Sequence, residues 1–260
     1  MRSKGVGGVR PRQASPRALA IAGGVVALVV VAVVLGIVLS GGKKGATGNF
    51  PTIGSATDPI ALQGSTQIRD LYKGIPQSGL ILGKPNAPAT LTEFIDLQCP
   101  VCKAFENTQM PGIVRKYVRT GQLNIRMEPW EIRDFPGGPG DSARGQAATI
   151  AAAAQNRAFQ FAGILYLNQG TENTGWLNEN MVGTAASSVD GLRPQKVLDN
   201  LGSSQVKATV SEVDRTAAAQ GYNSTPTLLL NHKGQKAHVV ARAYPDPTQL
   251  DNQIQSAIAG

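Results

Sequence analysis

From residue 18 to residue 39 the chain carries no charge at all, only Ala, Gly, Val, Leu and Ile in an unbroken run of 22 residues. At about 1.5 Å per residue such a run spans a ~30 Å bilayer core as a helix. Residues 40–78 then turn to Gly, Ser, Thr and Pro with few apolar side chains, a composition that predicts a tether. The one amphipathic stretch inside it, Ile68 to Tyr72, is a docking arm without an assigned role. From 79 onward the pattern is that of a folded domain. The run from Ala89 to Leu97 is too continuously apolar and β-branched for a solvent-facing strand and predicts a buried central one. A helix should follow, capped by Cys99, with Pro100 at its first position and Phe105, Ile113, Val114 and Tyr117 among its apolar residues. Pro111 should kink that helix, Gly121 should end it, and Gln122 to Trp130 should form the next strand, completing a βαβ unit.

The Pro- and Gly-rich segment after Phe135 breaks the pattern, and an alanine-rich helical stretch of about 140–202 follows with no convincing strand. The remainder predicts a helix over 205–220, strands over 225–231 and 235–242 joined by a turn at 232–234, and a closing helix over 247–259. The order is that of an α/β domain, a βαβ half and a ββα half separated by a helical insertion.

Charge changes this picture only at the N-terminus. The net charge of +8 is concentrated in Arg2, Lys4, Arg10, Arg12 and Arg17. Without these five, 20 Lys and Arg face 17 Asp and Glu, so the basic balance describes a tail and not a nucleic-acid surface. A cleaved secretory signal would have a shorter apolar region, roughly 7–15 residues, ending at a small-residue cleavage site. The longer run favours an uncleaved anchor, with residues 1–17 in the cytoplasm and residues 40–260 outside, as the basic flank directs. The domain chemistry then lies in an oxidising compartment.

Only two cysteines are present, Cys99 and Cys102. They close almost no loop, so stapling the fold is not their purpose. On a helix, residues three apart share a face, near enough for a disulfide after a small adjustment, and a bond in so short a ring opens readily to another thiolate. Cys99 at the helix start is the expected nucleophile, because unpaired N–H groups and the helix dipole stabilise a thiolate there. Cys102, one turn deeper, is the expected resolving thiol. Between them Pro100 and Val101 carry no charge, which leaves thiolate stabilisation to backbone and dipole. An inert buried dithiol fits the Pro-capped context poorly. A zinc site would need two further ligands, and the two histidines, His232 and His238, sit in the late hairpin. Glu93 shares a strand face with Ile95 and Leu97; burial there would raise its pKa and suit it to relay a proton to Cys102, whereas an edge position would leave it solvated.

The stretches GluPheIleAspLeuGlnCysProValCys at 93–102 and SerThrProThrLeuLeuLeu at 224–230 carry a resemblance. With the insertion between the two halves, the chain resembles the DsbA-like thiol:disulfide oxidoreductases of the thioredoxin superfamily, in their membrane-tethered Gram-positive and actinobacterial branch. The resemblance covers about Gly79 to the C-terminus. It implies a thioredoxin-like fold, a cis peptide at Thr225-Pro226 facing the cysteine pair, and substrate contacts from Thr225, Pro226, Pro100 and Val101. It implies no cofactor beyond the redox-active disulfide and no metal. It further implies reduced exported proteins as substrates and a quinone-linked membrane partner for reoxidation. The same residues would also serve a reductase, and an isomerase or a non-catalytic peptide-binding module are the remaining alternatives. Val101 stands where the best-known periplasmic oxidase has His, a departure that bears on the strength of the oxidant.

Overall fold

The computed structural model describes residues 61–260; the basic tail of 1–17 and the membrane span expected over 18–39 lie outside the described residues. Among the described residues no helix is long and apolar enough to cross a membrane.

The run Ala89–Ile95 forms β3, the strand around which everything else is placed. It pairs in parallel with β4 (Leu123–Pro129) and antiparallel with β5 (Thr227–His232). Two two-residue strands, β1 (Gln77–Ser78) and β2 (Ile81–Leu82), extend the sheet beyond β4, and β6 (His238–Ala241) closes the other edge, giving the order β1-β2-β4-β3-β5-β6. Between β3 and β4 the chain crosses over through a helix that begins at Pro100. This helix is continuous as α2 (Pro100–Thr108), restarts as α3 (Met110–Ile113), and ends in a π-helical turn over Val114–Val118. The kink expected at Pro111 falls two residues earlier, as an interruption at Gln109, and Pro111 sits in the first turn of α3, where its ring has no N–H to complete the ladder. The last turn widens, the Gln122 N–H reaching the Tyr117 carbonyl, and Gly121 at φ 81° turns the chain into β4.

The insertion is helical, as expected: α4 (Asp141–Ala153), α5 (Ala158–Leu167), α6 (Glu179–Ser187) and α7 (Pro194–Asn200). Then come α8 (Ser204–Ala219) and, after the β5–β6 hairpin, α9 (Pro247–Ala259). The hairpin strands are shorter than the expected 225–231 and 235–242, because the cis bond at Thr225-Pro226 precedes the first and a bulge between Leu228 and Leu229 twists the pairing. One face of the sheet buries Leu91, Ile95 and Leu230 against the helical insertion and α9; the other collects Phe94, Trp130 and Tyr222 over Val213 and Ala217 of α8. Phe94 meets Trp130 and Tyr222 edge to face at 6.1 and 5.1 Å.

The domain starts earlier than residue 79. Ile68 to Tyr72, expected to be a docking arm within the tether, lies in the helix α1 (Ser65–Tyr72), whose apolar stripe of Ile68, Leu71 and Tyr72 is part of the main core. Ile68 occupies the space left by the missing side chain of Gly163 on α5, where a Cβ would come within 2.7 Å of its Cδ1. A five-residue amphipathic stretch looks like an isolated arm until the partner helix is known.

Candidate active site

Cys99 caps α2 with extended backbone (φ −70°, ψ 120°), and Pro100 opens the helix where its missing N–H is not needed. The Cys99 N–H donates to the Asp96 carbonyl at 3.1 Å, and the Cys99 carbonyl accepts from the Lys103 N–H at 3.0 Å. Both thiols are reduced and both residues are buried. Cys99 has an exposure of 0%, with the Thr225 carbonyl 3.5 Å and an Arg133 Nη2 3.4 Å from its Sγ. The Thr225-Pro226 bond is cis and faces the pair, as the resemblance implied.

The two thiols are driven apart in acidity. Cys99 falls to about 4, chiefly because the Cys102 thiol donates to it, with further stabilisation from Thr225, the Cys102 N–H and Arg133 against the opposing effect of burial. Cys102 is pushed well above the usual thiol range, first by burial and then by its neighbour Cys99. One sulfur is thus held as an anion and the other as a proton carrier, the division that thiol exchange uses.

Beneath them Glu93 is fully buried, on the face shared with Ile95, and neither of its oxygens has a hydrogen-bond partner. The sequence reading missed its neighbour. Glu106 on α2 is 8% exposed, and an i, i+3, i+4 stripe of Cys102, Phe105 and Glu106 turns it inward. A charged residue on that apolar stripe was the available signal. The two carboxyls do not meet in a well-formed hydrogen bond, yet the charge of Glu106 adds to the rise of Glu93. Burial raises both: Glu93 well above the carboxylate range, Glu106 to about 7. The pair titrates as a unit that gives up its first proton late.

Both folded-state pKa values lie above the unfolded value near 4.5, so the favourable contribution is full below about pH 4.5 and disappears as pH rises through about 7. Glu106→Gln is expected to flatten that decline and to stabilise the protein at pH 8 by on the order of 2–3 kcal/mol. Urea unfolding of both proteins from pH 4 to pH 9 checks this; parallel profiles would refute it.

The loop that carries Cys99 is held from below by a buried polar cluster the sequence did not reveal. Asp96, 1% exposed, accepts from the N–H groups of Gln98, Ile132 and Arg133 at 2.9, 3.0 and 3.1 Å and from the Ser142 hydroxyl at 2.6 Å. Gln98 donates to Ser142 and Asp134 and receives the Asn173 N–H. From the insertion, Gln169 donates to the carbonyls of Leu97 and Cys99, and Tyr166 donates to that of Asp96. The insertion is therefore part of the scaffold of the cysteine pair. Among the described residues no group of three or more His, Cys, Asp and Glu is arranged to hold a metal ion.

A dithiol with divided acidities, opposed by a cis-proline loop at the start of the crossover helix, defines the class: a thiol:disulfide oxidoreductase of thioredoxin-like fold. The chain belongs to the thioredoxin family, whose model matches residues 77–246. It is 23% identical over 188 residues to disulfide bond formation protein D of Bacillus subtilis, covering 69% of this chain and 77% of that protein. It is 25% identical over 153 residues to the probable disulfide bond formation protein D of Bacillus cereus, covering 58% and 68%. The crystal structure of oxidised BdbD from Bacillus subtilis superposes with a TM-score of 0.61 at 21% identity, covering 72% of this chain and 98% of that one. DsbA from Chlamydia trachomatis gives a TM-score of 0.56 at 16% identity, covering 68% and 90%.

Proposed function

We propose that this chain is a membrane-anchored, extracytoplasmic disulfide donor that passes the Cys99–Cys102 disulfide to exported proteins. The observation that carries the reading is the depressed pKa of Cys99, brought to about 4. A stabilised thiolate lowers the free energy of the reduced form, and a dithiol that is comfortable reduced makes its disulfide a strong oxidant. The names of the Bacillus relatives, disulfide bond formation proteins, support the same direction. The uncharged 18–39 run with its basic flank supports the anchor and the outward placement.

A substrate thiolate attacks Cys99 Sγ, the Cys99–Cys102 bond breaks, and Cys102 leaves with the electron pair. Cys102 takes up a proton because burial keeps its pKa high, and the protonated Glu93–Glu106 pair is the buried reservoir for that proton. A second substrate thiolate then attacks the substrate sulfur of the mixed disulfide, and Cys99 departs as a stabilised thiolate. The substrate lies extended beside the cis Thr225-Pro226 segment, with Pro100 and Val101 beneath it. A quinone-linked membrane partner takes the two electrons from the dithiol and restores the disulfide.

Equilibration of the full chain with glutathione buffers tests the direction of electron flow. A potential at least ~60 mV above the −270 mV or so of thioredoxin is expected, and a value near −270 mV would replace the donor by a reductase.

A further inference from the structure

Val101 removes the cation that the best-known oxidase keeps between its cysteines, yet the Cys99 sulfur is not without one. Arg133, in the loop after β4, brings Nη2 to 3.4 Å from Sγ across a sequence separation of 34. Its position is prepared from three sides. Asp96 accepts the Arg133 N–H at 3.1 Å, and the Asn173 amide donates to the Arg133 carbonyl at 3.0 Å, so the backbone is fixed at both ends. Glu172, from the insertion, faces the guanidinium with Oε1 3.6 Å from Nε. That distance is too long for a hydrogen bond, and both atoms are buried without a hydrogen-bond partner. The guanidinium is held between two anions, the sulfur and the carboxylate, with its closer contact to the sulfur. The carboxylate of Asp96 is the other charge that acts on it.

We propose that Arg133 is a catalytic residue of the exchange, the cation that stabilises Cys99 as attacked centre and leaving thiolate, and that Glu172 is a positioning residue that sets how much of its charge the sulfur receives. The inference rests on the reading of Cys99 as the exchanging thiol and not on the direction in which electrons flow. When the second substrate thiolate breaks the mixed disulfide, Cys99 Sγ departs with the electron pair, and its new negative charge develops 3.4 Å from Nη2. A positive charge already in place favours that step without rearrangement.

Two opposite effects follow. An opposite charge at this distance shifts an acid by about 1–3 units, and the side chain is 38% exposed, so solvent screening places the effect at the low end. Arg133→Met should raise the Cys99 titration midpoint, read from thiolate absorbance at 240 nm, by about one unit. It should also lower the oxidising equilibrium constant against glutathione about tenfold, equivalent to ~30 mV. Arg133→Lys should restore most of both, because the charge returns without the fork. Glu172→Gln should shift both measurements the other way, two- to threefold in the equilibrium constant. Far-UV dichroism and urea unfolding of each variant establish that the fold is intact. If Arg133→Met leaves midpoint and equilibrium constant unchanged, or if Lys and Met shift them equally, charge at Arg133 is not what acts on Cys99. A change of the same sign in Glu172→Gln would remove the opposing role of the carboxylate. A wild-type potential near that of thioredoxin would overturn the donor reading alone, since the differences between variants still report on Arg133.

Discussion

Cys102→Ser should react with glutathione disulfide at pH 5 at least about a hundredfold faster than Cys99→Ser does. The balance is simple: the remaining thiolate attacks one sulfur of glutathione disulfide, a mixed disulfide forms, and one glutathione thiolate leaves. With a pKa of about 4, Cys99 is still mostly thiolate at pH 5, although part of its stabilisation comes from the Cys102 thiol that the Ser hydroxyl must replace. A thiol near the unperturbed value of about 8.5 has less than about a thousandth of its population ionised at that pH. Cys102 lies higher still, pushed up by burial, and has 0% exposure. Lower basicity makes a thiolate intrinsically less nucleophilic, which narrows the ratio without reversing it. Cys102→Ser should therefore accumulate a stable adduct visible by intact mass and lost on reduction, and Cys99→Ser should not. Comparable rates in the two variants would mean that the acidities are not divided as the geometry requires. In oxidative refolding of a reduced substrate, neither variant should turn over.

Asp96→Ala should be the most damaging single change outside the cysteines and the hydrophobic core. It removes the acceptor for the N–H groups of Gln98, Ile132 and Arg133 and for the Ser142 hydroxyl, all converging on one carboxylate with 1% exposure. A buried donor left unsatisfied costs about 1–3 kcal/mol. Water filling the space recovers part of this, so a loss of ~4 kcal/mol in urea unfolding is the expected size. Burial raises the pKa of Asp96, and the Ile132, Ser142 and Gln98 donors act against that rise. Asp96→Asn keeps the shape and one carbonyl oxygen and should lose roughly half as much. The same variants should raise the Cys99 titration midpoint, because the loop they loosen is the one that holds Arg133. A loss of stability with an unchanged midpoint would separate the scaffold from the thiolate.

Much of this was legible along the chain because it depends on near neighbours. The buried strand at Ala89–Ile95, the Pro-capped helix, the interruption just before Pro111 and the closing helix Pro247–Ala259 each follow from side-chain period and local backbone preference. The cysteine pair was legible for the same reason, being set by spacing on one helix, and spacing on one strand put Glu93 on an apolar face while leaving its burial open. The helix Ser65–Tyr72 was not, since eight residues in a polar context become core only against the surface of α5.

The sequence by itself determined which atoms can exchange disulfides, and it pointed to the order of elements that presents them. It also suggested, through Val101, that the pair lacked a cation. Only the tertiary structure decided otherwise, because Arg133, Glu172 and Asp96 reach the site from three separate segments, and an electrostatic field adds over distance in space and not along the chain. The same is true of Glu106, whose late proton depends on its burial among side chains from other elements.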